Sequence, residues 1–368
     1  MKILVLGGTG AMGTPLTRLL EPQNEVWVTS RKKRESQGNL QYILGNGKDL
    51  AFLNEILPLG WDAIVDFISR SENEFRSCID LFLDNTKQYI FISSARVYAE
   101  TESKITEDTP RLLDVSRDKA FLQTNEYSLA KARTEDLLKN NSKKKYTIIR
   151  PSITYNTYRL QLGVLEKEGW LYRAMKGRSI VFSEDMKNRL TTMTCGMDVA
   201  RGIASVIGKQ EALGEVFHIT NNRSLTWGDV LTIYKNALEK IFDRSINVYW
   251  TPTTTNLFFK YQQYQIKYCR YYNRTFDNSK IGSFIDVSSF VDPEEGLSTS
   301  LETFFMDPQF KPINWVLEAI NDRVAHERTP LHEIPSLKLK IKYLVYRYNI
   351  SFCIKIINKL IHLKHHNG

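Results

Sequence analysis

Met1-Lys-Ile-Leu-Val-Leu-Gly7-Gly-Thr-Gly10-Ala-Met-Gly13 opens the chain. Ile3 to Leu6 form an apolar run suited to a parallel strand covered on both faces, and the run ends directly in glycines. A strand that turns through glycines into a helix brings backbone N–H groups and the positive end of the helix to one place, where a pyrophosphate can sit. Ala11 to Leu20 supply the helix. Gly7, Gly10, Ala11, Met12 and Gly13 are therefore the expected contacts to a dinucleotide's phosphates.

Strand and helix patterns alternate outward from that turn, with strands near residues 2–6, 25–29, 41–44, 62–67, 89–93 and 146–150. The alternation predicts an α/β architecture, a Rossmann doubly wound parallel sheet over residues 1–150. Residues 151–333 are expected to form a smaller substrate lobe interleaved with the sheet, because Val216-Phe-His-Ile-Thr220 reads as a further buried strand. Residues 334–368 form a basic C-terminal extension. The stretch from Tyr98 to Tyr127 is longer than such a link needs, and reads equally as a lid or as a floppy insertion.

Two later motifs carry chemistry. Tyr127-Ser-Leu-Ala-Lys131 places a phenol and an ammonium one helical turn apart on one face. A neighbouring cation favours the phenolate, so Tyr127 can exchange a proton near neutral pH although a free tyrosine titrates near ~10. Tyr89-Ile-Phe-Ile-Ser93-Ser94-Ala-Arg-Val-Tyr98 reads as a buried strand that ends in two hydroxyls.

The glycine turn, Ser94 and the Tyr127/Lys131 pair, in that order, resemble the extended short-chain dehydrogenase/reductase family of nucleotide-sugar epimerases, dehydratases and reductases. Ile105-Thr-Glu-Asp-Thr-Pro110, Ile148-Ile-Arg-Pro151 and Asp198-Val-Ala200 extend the resemblance, which covers roughly residues 1–320. It implies that Tyr127 is the general acid/base, that Lys131 lowers its pKa and binds the nicotinamide ribose, and that Ser94 holds the reacting hydroxyl or carbonyl. Ser94 is preferred to Ser93 because it directly precedes Ala-Arg-Val-Tyr, as the family's catalytic hydroxyl precedes its own Val-Tyr. Ala95 and Arg96 stand where 4,6-dehydratases carry Asp-Glu, which leaves epimerisation or net ketone reduction. The resemblance further implies a nucleotide-sugar substrate, a role in surface-polysaccharide biosynthesis in the cytoplasm, and a homodimer formed beside the tyrosine helix near Ala130 to Leu138.

Val26-Trp-Val-Thr-Ser30-Arg31 ends without the acid that usually receives the ribose hydroxyl of NAD. Ser30 and Arg31, followed by Lys32, Lys33 and Arg34, suit a 2′-phosphate, so NADP(H) is the expected cofactor. NAD stays open, as does a plain solvated loop. Asn46 occupies the place of the family's adenine-contacting aspartate, and Ile153 that of a substrate-binding asparagine. Arg189 is the candidate for the nucleotide diphosphate, with Arg270 and Arg274 behind it.

Cys78, Cys195, Cys269 and Cys353 lack pairing or metal spacing and fit a reducing compartment; the histidines form no ligand set, even at His362, His365 and His366, so no metal is expected. There is neither a leader pattern nor a run of the ~20 apolar residues that spans a bilayer. Of the net charge of +9, residues 334–368 hold +7, from Lys338, Lys340, Lys342, Arg347, Lys355, Lys359 and Lys364 with no acid. Ile350, Ile354, Ile357 and Ile361 recur among them at helical spacing. Such a stripe fits an anionic membrane surface, or docks on the protein's own body or a second subunit. Leu337, Leu339 and Ile341 alternate with lysines at a period of two, which predicts that the tail is not one uninterrupted helix. Tyr343, Tyr346, Tyr348 and Phe352 do not amount to a nucleic-acid face. The alternative to an enzyme is a catalytically idle relative that binds NADP(H), RNA or a protein.

Overall fold

The computed structural model of the protein describes residues 1–257, 262–350 and 352. Seven strands form one parallel sheet: β1 (Lys2–Leu6), β2 (Glu25–Ser30), β3 (Leu40–Leu44), β4 (Trp61–Asp66), β5 (Thr86–Ile92), β6 (Tyr146–Pro151) and β7 (Val216–Ile219). Their order across the sheet is β7-β6-β5-β4-β1-β2-β3. Ile3 lies between Val26 and Ala63 in this register, and Phe217 lies beside Ile149.

Alternation along β1 shows why both faces are covered. Ile3 and Val5 join one buried cluster, with Leu16 and Leu20 of helix α1 (Gly13–Leu20); Leu4 and Leu6 join another, with Phe75, Phe82 and Leu138. Leu138 belongs to helix α2 (Tyr127–Lys139), while Val199, Ala200, Ile203 and Val206 of helix α3 (Gly196–Val206) join α1's side. A strand whose successive residues both need cover must have helices on both sides, which is the doubly wound Rossmann arrangement. β5 starts earlier than its apolar run because Gln88, though buried, is fully used: its amide nitrogen donates to Thr147 Oγ1 at 2.9 Å and to Val206 O at 3.0 Å, and its oxygen accepts from Gly208 N at 2.7 Å.

The chain divides into two compact units. The first comprises residues 1–159, 190–226 and 272–300, so the sheet is completed by chain that has left and returned. The connection between Tyr98 and Tyr127 is packed within this unit and is not a floppy insertion. Ile105 N–H donates to Thr275 O at 2.8 Å, Ala99 N–H to Pro110 O at 2.8 Å, and Phe121 is wholly buried.

The second unit comprises residues 160–189, 227–271 and 301–368. In it Ile180–Ser183 pairs in parallel with Val248–Thr251, and helices span Lys167–Met175, Trp227–Phe242, Trp315–Val324 and Leu337–Arg347. The stretch with leucines and lysines at a period of two is helical, because Ser336 caps it and Tyr343, Val345 and Tyr346 bury against Trp315, Val316, Ala319 and Ile320. This helix does stop: Asn349 has φ 52° and Ile350 N–H closes back on Val345 O at 3.0 Å. Cys353, Ile354, Ile357, Ile361 and the terminal histidines lie outside the described residues. Among the described residues no helix is long and apolar enough to cross a membrane.

Candidate active site

Backbone geometry makes the first half of the site. Gly7 turns out of β1 with φ 70°, a left-handed conformation that favours glycine. A Cβ on Gly13 would lie 2.6 Å from the backbone of Gly8, so turn and helix meet too closely for any side chain. Gly10 differs, because among the described residues nothing comes within 4 Å of the place its Cβ would take. Open space therefore lies in front of Gly10, and a side chain there would project into it. No described side chain caps α1, whose cap residue is Met12, and its first turn holds no acid. Open backbone at an uncapped, acid-free helix start fits a pyrophosphate. Ala11 O packs on the first residue of α3, where a Cβ on Gly196 would come within 2.5 Å of it.

The next side of the corner is less open than the sequence implies. Thr29 Oγ1 accepts from Gly7 N–H at 3.2 Å. Ser30 closes its hydroxyl within its own turn, donating to Lys32 O at 2.8 Å and accepting from Lys32 N–H at 3.2 Å, so it does not present a free donor. Arg31 is exposed at the end of β2. Asn46 Oδ1 accepts from Lys48 N–H at 3.2 Å. The adjoining Gly47 carbonyl accepts from Arg70, which is ion-paired with Asp66 at the end of β4; Tyr89 donates to the same carboxylate at 2.8 Å. Asp66 and Arg70 thus fasten the Asn46 turn to the sheet. The sequence signal for them is a charged residue closing the apolar run of β4.

Side chains make the second half. Past β5, Ser93 is buried and donates to Glu135 Oε1 at 2.6 Å, whereas Ser94 Oγ accepts from Arg96 N–H at 3.2 Å and caps the short turn Ala95–Val97. Tyr127 is the first residue of α2, which Glu126 caps by accepting from Ser128 N–H at 2.7 Å. One turn on, Lys131 Nζ donates to Ile92 O at 2.7 Å and lies 4.7 Å over the Phe91 ring and 5.8 Å from the centre of the Tyr127 ring. Arg96 lies 5.0 Å over the same Tyr127 ring and is ion-paired with Glu126. The structure thus gathers Ser94, Tyr127 and Lys131, and adds Arg96 to them. Sequence reasoning used Arg96 only to argue against dehydration; its place two residues past Ser94 was the available signal.

Tyr127 is 40% exposed, yet desolvation around its phenol raises the pKa above the usual tyrosine value. The groups that oppose the rise are Arg96, then Arg159, then the Ser94 hydroxyl. Desolvation thus sets the net direction, with Lys131 Nζ 5.8 Å from the centre of the ring and donating to the Ile92 carbonyl. Burial brings Lys131 itself down to about 8, against the pull of Asp66.

Behind the site, Glu135 of α2 accepts from Arg150 Nε at 2.8 Å and Nη2 at 2.6 Å, and from Arg111 at 3.3 Å. These charges are buried. Arg150 and its partners keep the Glu135 carboxylate ionised despite a desolvation that acts the other way.

Arg189 belongs to the second unit, where it is exposed and its backbone bonds to Met186 and Trp227. Arg270, in the same unit, donates to Gly163 O at 2.8 Å. Arg274, in the first unit, is buried and donates to Tyr98 O at 3.1 Å.

Solved structures share this arrangement of sheet and helices. A UDP-glucuronic acid 4-epimerase from Bacillus cereus, solved with UDP-glucuronic acid and NAD, superposes with a TM-score of 0.61 over 83% of this chain and 99% of its own, at 18% identity. A dTDP-glucose 4,6-dehydratase from Bacillus anthracis in complex with NAD gives 0.62 over 83% and 97%, at 15% identity. A UDP-N-acetylglucosamine 4-epimerase from Methanobrevibacter ruminantium gives 0.62 over 83% and 98%, at 17% identity. The fold is the Rossmann fold of these epimerases and this dehydratase. Residues 76–199, which include β5, α2 and β6 and end in α3, match an NAD-binding family described as male sterility protein. A curated relative, the chloroplast stem-loop binding protein of 41 kDa b from Arabidopsis thaliana, is 24% identical over 243 residues, 61% of this chain. The chain spans 60% of that relative's length.

Proposed function

We propose that the protein is a nicotinamide-dinucleotide-dependent oxidoreductase or epimerase that acts on a nucleotide-linked sugar. The observation that carries this reading is the gathering of Ser94, Tyr127 and Lys131 at the end of β5 and the start of α2, in the unit that also holds the glycine turn. The dinucleotide, when bound, supplies or accepts the hydride. Gly7, Gly10 and Gly13, with Ala11 and Met12, would receive its pyrophosphate, and Lys131, charged below about pH 8, would bind its ribose. Ser94 holds the reacting oxygen of the sugar, and Tyr127 gives that oxygen its proton or takes it away. Desolvation favours the protonated phenol, so Tyr127 stands ready as an acid, the role that carbonyl reduction needs.

NADP(H) is the preferred cofactor within this proposal, with Arg31 as the 2′-phosphate ligand, since Ser30 spends its hydroxyl on Lys32. Asn46 would meet the adenine, and Arg189, on sequence position, the nucleotide diphosphate. A homodimer formed through α2, a place in surface-polysaccharide biosynthesis and a peripheral contact of the basic tail with a membrane belong to the same proposal.

One observation favours a second reading: the Arabidopsis relative is named for binding an RNA stem-loop, so the fold could hold RNA without turnover. The two readings separate in one set of measurements. Protein purified without added cofactor is denatured and any released dinucleotide is identified by mass spectrometry, then wild type and Tyr127→Phe are assayed with UDP- and dTDP-sugars and titrated with a stem-loop RNA. An enzyme loses roughly 10²–10⁴-fold in turnover on Tyr127→Phe and keeps its dinucleotide. A protein without dinucleotide or turnover, whose RNA affinity is the same in both forms, refutes the enzymatic reading.

A further inference from the structure

Arg96 reaches each part of the catalytic corner. Its backbone N–H donates to Ser94 Oγ at 3.2 Å, its guanidinium lies 5.0 Å over the Tyr127 ring, and it is ion-paired with Glu126, the residue that caps α2 at Ser128. Its side chain is 20% exposed and that of Glu126 11%, so the pair is held where a salt bridge is poorly screened. Lys131 Nζ also lies near the ring, at 5.8 Å from its centre, but donates to the Ile92 carbonyl.

We propose that Arg96 is a positioning residue of this site, fixing the Tyr127 ring and supplying, beside Lys131, positive charge that steadies its phenolate. The proposal deepens the reading of Tyr127 as the proton-transfer group and rests on it.

Two physical arguments support the assignment. A cation over the face of an aromatic ring is attracted by its π electrons, and the attraction grows when the phenol ionises and the ring gains charge. A guanidinium also keeps its charge throughout the range in which tyrosine titrates. Lys131 does not: its ammonium is brought down to about 8, so most of its charge is gone before a phenol of ordinary or raised pKa ionises. The other groups that face Tyr127 are accounted for. Arg159 and the Ser94 hydroxyl act in the same direction as Arg96, and Glu126 acts against it.

The test is a direct titration of Tyr127 in the full chain, by NMR of ring-¹³C tyrosine, with Tyr127→Phe identifying the resonance. Arg96→Gln is expected to raise the titration so that the phenolate population at a fixed pH falls about tenfold or more. Arg96→Lys should recover part of that shift, Lys131→Met should move the resonance less than Arg96→Gln, and Glu126→Gln should move it the opposite way, down. The proposal is overturned if Arg96→Gln leaves the titration in place or if Lys131→Met moves it further. Should Arg96→Gln fail to fold, Arg96→Lys and Glu126→Gln carry the same test with opposite signs. The titration needs neither cofactor nor substrate. Loss of the enzymatic reading would therefore appear in turnover, while failure of this inference would appear in the resonance.

Discussion

Two stacks of glutamate, arginine and tyrosine stand at the two sides of α2. In one, Arg96 lies 5.0 Å over Tyr127 and pairs with Glu126; in the other, Arg150 lies 4.7 Å over Tyr98 and pairs with Glu135. Their groups are alike and their surroundings are not. Tyr127 is 40% exposed, whereas Tyr98, Arg150 and Glu135 are at 0%, 1% and 0%. The sealed stack joins Glu135 of α2 to Ser93 after β5 and Arg150 on β6, and its tyrosine is pushed far above the usual range by burial. It braces the helix. The open stack, at the start of that helix, presents its tyrosine to solvent, where a substrate can reach it. Exposure, more than residue type, separates a structural ion pair from one that tunes a reacting group.

Breaking the sealed stack should have the largest effect. Glu135→Ala leaves Arg150 buried without its main counter-charge and should cost about 3–5 kcal/mol of unfolding free energy in a denaturant titration. Glu126→Ala removes a helix cap and a partly exposed ion pair and should cost about 1–2 kcal/mol. Equal losses would mean that the two stacks do the same work.

Next in size is the contrast between the tyrosines. Tyr98 donates toward His218 Nδ1 at 3.2 Å, so Tyr98→Phe strips a buried acceptor and should cost about 1–3 kcal/mol. Tyr127→Phe should leave stability within about 0.5 kcal/mol while turnover falls, because Tyr127 is exposed and not part of the core. Thermal melts of both variants, read beside turnover, check the pair. A destabilised Tyr127→Phe that still turns over sugar would reverse the assignment of open and sealed.

The glycine turn was legible in the sequence because its chemistry is local. Apolar run, glycines and helix follow one another along the chain, and their conformations depend on neighbours a few residues away. Spacing alone also placed Tyr127 and Lys131 on one face, and β7 was visible as an apolar run. The roles within the catalytic corner were not legible, for they depend on partners far apart in sequence. Arg96 finds Glu126 across a packed connection, Ser93 is withdrawn by Glu135, and Lys131 is turned by the carbonyl of Ile92. None of these contacts leaves a periodic trace. Ser30 fails for a smaller reason: its turn lets the hydroxyl fold back on Lys32, a local bond that competes with any ligand.

The smallest effect is a pH dependence that originates in the sealed side. His218 Nε2 lies 2.7 Å from Asp277 O and Nδ1 3.2 Å from the Tyr98 hydroxyl. A carbonyl can only accept, so Nε2 carries the proton and Nδ1 accepts from Tyr98, an assignment drawn from the bonding pattern. Burial lowers the pKa of His218 below 6.5, against Glu107 and the Asp277 carbonyl and with the help of Arg150. In the unfolded chain the same imidazole takes up its proton near 6.5. The unfolded state therefore binds more protons as pH falls below 6.5, and stability due to this group, complete above that value, is lost at up to about 1.4 kcal/mol per pH unit until the folded pKa is reached. Unfolding free energies of wild type and His218→Gln, measured from pH 7.5 to about 5 and subtracted, should diverge only below about 6.5. Tyr98→Phe should weaken that dependence, since protonation at Nδ1 then breaks no hydrogen bond. A wild-type curve that stays parallel to His218→Gln down to about pH 5 would mean that His218 is charged as easily in the fold as outside it, and that the Tyr98 side of the helix is not sealed.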